Sequence, residues 1–414
     1  MKKTILLCLS TIFALCVFAQ ASYTNGIFIV NEDWFSHNSS SVNFYSYDDG
    51  SVVYRAYQAA NPGMTLGNTT QYAELNKDNI YFCSKQNYGE TGGRLIVADA
   101  KTLAKKHSLD NIDDADTRAF VTVNDEKGYI GTNSGIFVFN TATFELGAKI
   151  DGTAKEEIGN MVLCGDKVLA TVRGVGYHVI DVRTNVLEKT IDLGKITTIF
   201  VVNGQPYAAV NDATWGTPAA SNTEQFIKID PATFELTAVS TVPMASQNTW
   251  FAWKNASPAV DQANEVLYYC PAEGANFICK YDIKSAQFTQ QFITFDEGQK
   301  MYGNVVGFDP VNNYIAAMTF KNYGDQDYWL TLYNTSGEKV NQVKLNANYW
   351  FPAMFLFASK TVPTSVDNVE SSKVVAGVQY FNLQGQQSAE PFKGVNIVKT
   401  IYTDGTSTTA KVLK

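Results

Sequence analysis

Gly135-Ile136-Phe137-Val138-Phe139-Asn140-Thr141-Ala142-Thr143-Phe144 reads as an apolar strand, a tight turn and the first residue of a second strand. The turn chemistry lies in Asn140 and Thr143. A short Asp or Asn side chain bonds backbone N–H groups two residues on, and Thr, Ser or Gly closes the turn. The same spacing recurs at Asp48/Ser51, Asp99/Thr102, Asp181/Thr184, Asp230/Thr233, Asp282/Ser285 and Asn334/Gly337. Seven copies result, separated by 51, 41, 41, 49, 52 and 52 residues. Outward from Asn140, residues 119–123, 128–131, 135–140 and 144–150 make four short strands, so each copy is expected to join the third strand of a unit to its fourth. No stretch of the chain shows capped helical periodicity. Four strands repeating at roughly 40–50 residues is the pattern of propeller blades; a β-sandwich array is the alternative, and seven regular copies suit a closed ring better.

The expected fold is therefore all-β: a seven-bladed β-propeller over residues 22–358, then a linker over 359–373 and a small C-terminal β domain over 374–414. The first unit begins at Ile27 without an inner strand. Phe351-Pro352-Ala353-Met354-Phe355-Leu356-Phe357 stands after the seventh copy without outer strands. Joining the two completes one blade from both chain ends and removes two open sheet edges.

Residues 1–21 read as a secretory signal peptide. Lys2 and Lys3 precede a short apolar run, and Ala19-Gln20-Ala21 offers a small-x-small cleavage site. Cys16 raises the lipoprotein alternative, but Phe13-Ala14-Leu15 puts a bulky residue where a small one is needed. The expected localisation is exported: cell surface or extracellular, with the periplasm as an alternative. Loss of two lysines moves the formal charge from −8 to −10. An acidic chain without a basic stripe is a poor nucleic-acid partner, and no run is long and apolar enough to span a membrane. Cys270 and Cys279 flank a hairpin turn; in an oxidising compartment they are either a disulfide or two buried thiols. Cys83 and Cys164 sit in apolar strand patterns and are expected in the core.

In a propeller, the loops between the second and third strands share one face with the connections between blades. That face gathers Asn31, Trp34, Tyr88, Arg118, Arg173, Trp215, Trp250, Tyr302, Tyr323 and Trp350 as candidate ligand-binding residues. Aromatic rings supply contact area while amides and arginines orient, which suits an uncharged or multiply polar ligand of some size; packing between blades is the alternative for any one tryptophan. His37, His107 and His178 are the only histidines, and no Ser-His-Asp set, phosphate loop or His/Cys metal spacing stands out. No catalytic residue, metal site or cofactor is assigned. Asp110, Asp113, Asp114 and Asp116 are acidic neighbours whose order departs from a calcium loop, so a solvated loop is expected.

Ile29-Val30-Asn31-Glu32-Asp33-Trp34 with Ser41-Val42-Asn43-Phe44-Tyr45, and Trp350-Phe351-Pro352-Ala353-Met354, resemble the YncE-like propellers of gut anaerobes catalogued as DUF5074. Those open on Asn-Glu-Gly, and this chain has Asp33 in place of the Gly. Their BtuG-type relatives capture cobalamin and hand it to a TonB-dependent transporter; they are usually lipoproteins, which this chain does not resemble. The resemblance implies a surface binding protein for a small-molecule ligand, a corrinoid such as cobalamin or a glycan. Propeller enzymes (a lyase or a quinone-dependent dehydrogenase) and a protein-binding scaffold are the alternatives, with Arg118, Arg173 and Asp212 as the charges to inspect for an enzyme. Residues 380–386, 391–398 and 411–414, with their Leu-x-Gly and Pro-x-x-Gly elements, resemble a type IX secretion sorting domain, implying passage across an outer membrane.

Overall fold

A computed structural model of the chain describes residues 22–86, 92–154, 157–194, 196–210, 225–240, 257–358, 375–382, 384–402 and 407–413. The first three strands are β1 (Gly26–Asn31), β2 (Ser41–Ser46) and β3 (Val52–Val53). A five-residue helix, α1 (Ala56–Ala60), follows; the sequence pattern gave no sign of it. The second sheet is β4 (Asn68–Asn76), β5 (Asn79–Gln86), β6 (Leu95–Asp99) and β7 (Lys105–Leu109). The third is β8 (Thr117–Thr122), β9 (Gly128–Thr132), β10 (Gly135–Phe139) and β11 (Leu146–Lys149). The fourth is β12 (Ile158–Cys164), β13 (Lys167–Val172), β14 (Gly176–Asp181) and β15 (Val186–Asp192). The fifth is β16 (Ile196–Val202), β17 (Gln205–Val210), β18 (Gln225–Ile229) and β19 (Leu236–Ser240). The sixth is β20 (Ala259–Asp261), β21 (Val266–Tyr269), β22 (Phe277–Asp282) and β23 (Gln287–Thr294). The seventh is β24 (Val306–Asp309), β25 (Tyr314–Phe320), β26 (Tyr328–Tyr333) and β27 (Lys339–Lys344).

The strand β28 (Pro352–Ala358) returns to β1, pairing Gly26 with Ala358 and Val30 with Met354, so the first sheet has the order β28-β1-β2-β3. Every one of these sheets is four-stranded and antiparallel between neighbours. Apolar layers join each sheet to the next. Phe28, Val30 and Phe44 meet Ile80, Phe82 and Ile96; further round, Tyr268 and Ile278 meet Phe308 and Ile315. The last layer, with Tyr328, Leu330 and Trp350 against Ile27, Ile29 and Phe355, brings the seventh sheet back onto the first. The fold is a β-propeller closed by strands from the two ends of residues 26–358. A further sheet, of order β30-β29-β31-β32, is formed by β29 (Val375–Phe381), β30 (Gln387–Ser388), β31 (Val395–Tyr402) and β32 (Ser407–Leu413).

The recurrent Asp/Asn turn joins the third and fourth strands wherever it occurs. Asn140 Oδ1 accepts from the N–H groups of Ala142 (2.9 Å) and Thr143 (2.8 Å). Asp99 does the same for Lys101 and Thr102, and Asp230 for Ala232 and Thr233. The first copy is shifted by one: Asp49, not Asp48, accepts from the Ser51 N–H, while Asp48 takes the Asn25 amide.

Tyr269 pairs with Cys279, which puts Cys270 opposite Ile278. Side chains alternate faces along a strand, so the two thiols point to opposite sides of the sheet. Cys270 joins the layer shared with the seventh sheet, and Cys279 the layer shared with the fifth. The bridge is excluded by register, and all four described cysteines are free and buried. His107 lies in the outer strand β7 and stacks on Phe144. In the acidic loop, Asp113 pairs with Lys149 and Asp116 with Arg94; among the described residues no cluster of His, Cys, Asp and Glu could hold a metal.

A candidate ligand-binding face

The β1–β2 loop, the β25–β26 loop and the segment before β28 meet at the face that carries the second-to-third-strand loops. Glu32 and Asp33 donate their backbone N–H groups to the Phe351 and Trp350 carbonyls, which locks the loop to the closing strand. A row of rings runs across this junction. Trp34 lies 4.6 Å from Tyr349, Tyr349 6.2 Å from Phe351, Phe351 5.2 Å from Tyr302, and Tyr302 6.2 Å from Tyr323. These separations fall within the range of interacting aromatic pairs. Trp34 also stacks on His37 at 3.8 Å. Trp34 and Tyr323, at the ends of the row, are 41% and 42% exposed.

Carboxylates edge the row. The Tyr323 hydroxyl donates to Glu273 (2.6 Å), and the Tyr302 hydroxyl to Glu32 (3.3 Å). Burial, reinforced by Glu32 and Glu273, holds the Tyr302 hydroxyl far above its ordinary range, so it stays a hydrogen-bond donor. Lys300 Nζ lies over the rings of Phe320 and Tyr323. The row thus offers flat apolar surface with hydroxyl and carboxylate edges and one ammonium.

A second group on the same face is a chain of ion pairs across three sheets. Arg94 pairs with Asp116 (2.9 Å), and Arg118 reaches Asp116 (3.6 Å) and Glu157 (2.9 Å). Arg173 then grips the other oxygen of Glu157 (3.0 Å). Arg118 is buried, and burial lowers its pKa against the pull of Glu157 and Asp116. Its engagement by two carboxylates makes it a bracket between sheets, while Arg173 stays more than half exposed.

Deeper toward the axis, Asn160 of β12 bonds both the N–H and the carbonyl of Ile199 on β16. Its amide also reaches Ser257 Oγ (3.4 Å), whose hydroxyl meets Thr198 Oγ1 (2.7 Å). Asn304 then donates to the Ser257 carbonyl (2.8 Å) and accepts from the Cys270 N–H. Four successive sheets are tied at their inner ends by this network.

The face therefore brings Trp34, Tyr302 and Tyr323 together in one row, and Arg118 with Arg173 on one carboxylate. Two candidates sit elsewhere than expected. Trp350 is 2% exposed, stacked on Tyr54 and lying under Arg55, with Nε1 donating to the Asn346 carbonyl. It is a buried wedge of the closing layer. Asn31 is fully buried beneath the face, donating to the Ile29 carbonyl. Tyr88, Trp215, Trp250 and Asp212 lie outside the described residues. The reading of single residues missed Glu157, Asp116, Arg94 and Glu273, whose roles depend on partners in other loops or sheets. Nothing local marked Tyr349 and Phe351 over Trp350, because Phe351 holds a left-handed backbone (φ 42°) that breaks the two-residue alternation of an extended segment.

Among curated proteins, none matches this sequence. Solved structures share the fold at low identity. A protein from Lactobacillus plantarum is 14% identical, with 81% of this chain and 99% of that chain aligned at a TM-score of 0.55. The extracellular domain of a B. thetaiotaomicron protein described as a hybrid two component system is 12% identical at a TM-score of 0.50; the alignment covers 85% of this chain and 46% of that one. The WD40 domain of Neurospora crassa Pan2 aligns over 73% of this chain and 87% of its own, at 11% identity and a TM-score of 0.49. At the level of sequence, a family model described as a domain of unknown function, DUF5074, matches residues 25–358. That match spans the sheets from β1 to β28, and the chain belongs to the DUF5074 family.

Proposed function

We propose that this chain is an exported ligand-binding propeller that works at the cell surface, and that a corrinoid, cobalamin first, is its ligand. The observation that carries the reading is the aromatic row Trp34–Tyr349–Phe351–Tyr302–Tyr323 on one face, edged by Glu32 and Glu273. Rings in this arrangement give large contact area at small conformational cost, and the hydroxyl and carboxylate edges suit a ligand with many amide groups. The leader-like residues 1–21 and the sorting-like tail support export, and a TonB-dependent transporter is the partner that such a role requires. Phe35, 52% exposed beside Trp34, favours a second reading in which the same rim receives a peptide or a surface glycoprotein.

The test is a calorimetric titration of the full chain with cyanocobalamin, repeated with Trp34→Ala and Tyr349→Ala. One-to-one binding that weakens at least about tenfold in each variant, a loss of about 1.4 kcal/mol, supports the proposal. Absence of heat at high micromolar ligand removes the corrinoid and directs the search to glycans and peptides on the same rim.

A further inference from the structure

The chain of ion pairs across the second, third and fourth sheets does not balance. Arg94, Arg118 and Arg173 meet only Asp116 and Glu157, three positive charges against two negative, so one positive charge is left over among these five side chains. The Arg118 side chain is 6% exposed, and its contacts with Glu157 (2.9 Å) and Asp116 (3.6 Å) both run through Nη2. Its Nε and Nη1 are buried and have no hydrogen-bond partner. Burying the donors of a charged group without partners is costly, so two idle nitrogens on one guanidinium require an explanation.

The backbone aims Arg118 at this place. Thr117 pairs with Thr132 and Ala119 with Gly131, so β8 carries one extra residue between them, and that residue is Arg118. Side chains alternate along a strand. Ala119 packs in the layer with the fourth sheet and Phe120 in the layer with the second, so unbroken alternation would turn Arg118 toward the second. The bulge turns it instead to Glu157, the residue before β12 of the fourth sheet. Bulges recur beside binding sites because they re-aim one side chain.

What remains is a set of N–H donors on a cation, with a second guanidinium beside it. Arg173 holds the other oxygen of Glu157 at 3.0 Å and is 55% exposed. Burial first, and then the like charge of Arg173, lower the Arg118 pKa against Glu157 and Asp116. Both carboxylates are themselves partly exposed, at 29% and 26%, so Arg118 lies directly beneath the surface. A metal cation is repelled by two guanidiniums. An oxyanion accepts from the idle nitrogens and neutralises the surplus charge, and guanidinium–oxyanion contacts are strong and directional. We propose that Arg118 and Arg173 form an anion site for a carboxylate or phosphate group, with Arg173 as its exposed member and Glu157 as the carboxylate that holds the two guanidiniums together. The site stands apart from the aromatic row and does not depend on a corrinoid as ligand.

Calorimetric titration of the full chain with inorganic phosphate and, separately, with succinate tests the site, with sodium chloride at equal ionic strength as the control. The expected result is saturable binding of at least one probe, weakened at least about tenfold in Arg173→Gln and in Arg118→Lys. The lysine variant keeps the charge but not the fixed fork of donors, so a loss there assigns the anion to the guanidinium. Arg173 makes an exposed ion pair, so Arg173→Gln should melt within about 2 °C of the parent, and its loss of binding is then separate from unfolding. Phosphate alone would identify a phosphoryl group, and succinate alone a carboxylate. No saturable binding of either probe, or binding as tight in Arg173→Gln as in the parent, would overturn the proposal. Neither probe contains a ring, so the result is read whether or not the chain takes cyanocobalamin.

Discussion

Ala286 adopts a left-handed backbone, φ 53°, at the fifth position of an Asp-x-x-Ser turn. Leu103, Phe144, Asn185 and Phe234 hold the same place in other copies, at φ between 56° and 63°. A backbone bond from the first carbonyl fixes several of them, as Phe144 N–H to Asn140 O at 2.8 Å. A residue with a Cβ spends about 1–2 kcal/mol in this conformation. Phe234 and Leu103 offset that by burial, whereas Ala286 is exposed. Ala286→Gly should therefore raise stability by about 0.5–1 kcal/mol, net of the extra chain entropy of glycine, read as a higher urea midpoint at unchanged slope; a lower midpoint would refute the strain. Asp33 has the same left-handed backbone (φ 55°), and its carboxylate pairs with Arg55 at 2.8 Å. Burial raises the Glu74 carboxyl to about 7, although it accepts the Thr122 N–H at 2.9 Å. A folded-state pKa above the unfolded value gives stability that is complete below about pH 4.5 and is lost as pH rises through about 7. Glu74→Gln keeps an acceptor for Thr122 and has no charge. Its melting temperature should match the parent near pH 4 and exceed it near pH 8, by about 1–2 kcal/mol of stability; equal melting at both would refute the buried charge. His178 works in the opposite sense. Burial lowers it to about 4, so its neutral form favours folding above pH 6.5 and that contribution is lost as pH falls through 4.

Strands and their turns were the most legible elements because their signals are local. Asp99, Asn140 and Asp230 each accept from N–H groups two and three residues on, so spacing alone exposes them. The site was less legible because its parts are set by neighbours far along the chain: Arg118 and Arg173 could be named singly, but the Glu157 between them belongs to a contact across sheets. A similar non-local device runs along the inner edges, where a strand's free backbone is met by a side chain from the preceding sheet. Met354 Sδ accepts from the Ala73 N–H, Glu74 from Thr122, and Asn160 from Ile199. Nothing in a single strand's pattern announces such bridges. The cysteines of the sixth sheet show how one residue of register decides chemistry, because a slip of one position turns every side chain to the other face. Burial raises the thiols of Cys270 and Cys279 each to about 12, which keeps both in the unreactive protonated form. Alkylation in denaturant without prior reduction should label both residues in a peptide map, while the native protein leaves them unlabelled. A linked peptide containing the two would mean that the register is wrong.

At the scale of the whole molecule, stability rests on closing the ring. β28 contributes Phe355 to the layer with the seventh sheet and Leu356 and Ala358 to the layer with the second, and it covers the edge of β1 from Gly26 to Asn31. Removing it exposes two apolar layers at once, at about 1.5–3 kcal/mol for each large side chain, and opens a sheet edge that invites association. The total approaches the 5–15 kcal/mol that holds a typical domain together. The four strands of 375–413, by contrast, pair among themselves in a separate sheet. Two truncations separate these contributions. Residues 22–358 should melt within about 2 °C of residues 22–414, because the ring is complete in both. Residues 22–351 should lose the cooperative transition or melt at least about 10 °C lower, in keeping with several kcal/mol lost from a domain of this size, and should elute as aggregates. If 22–351 were as stable and monomeric as 22–358, β28 would not be the closing strand, and the site anchored on Tyr349 and Phe351 would lose its foundation with it.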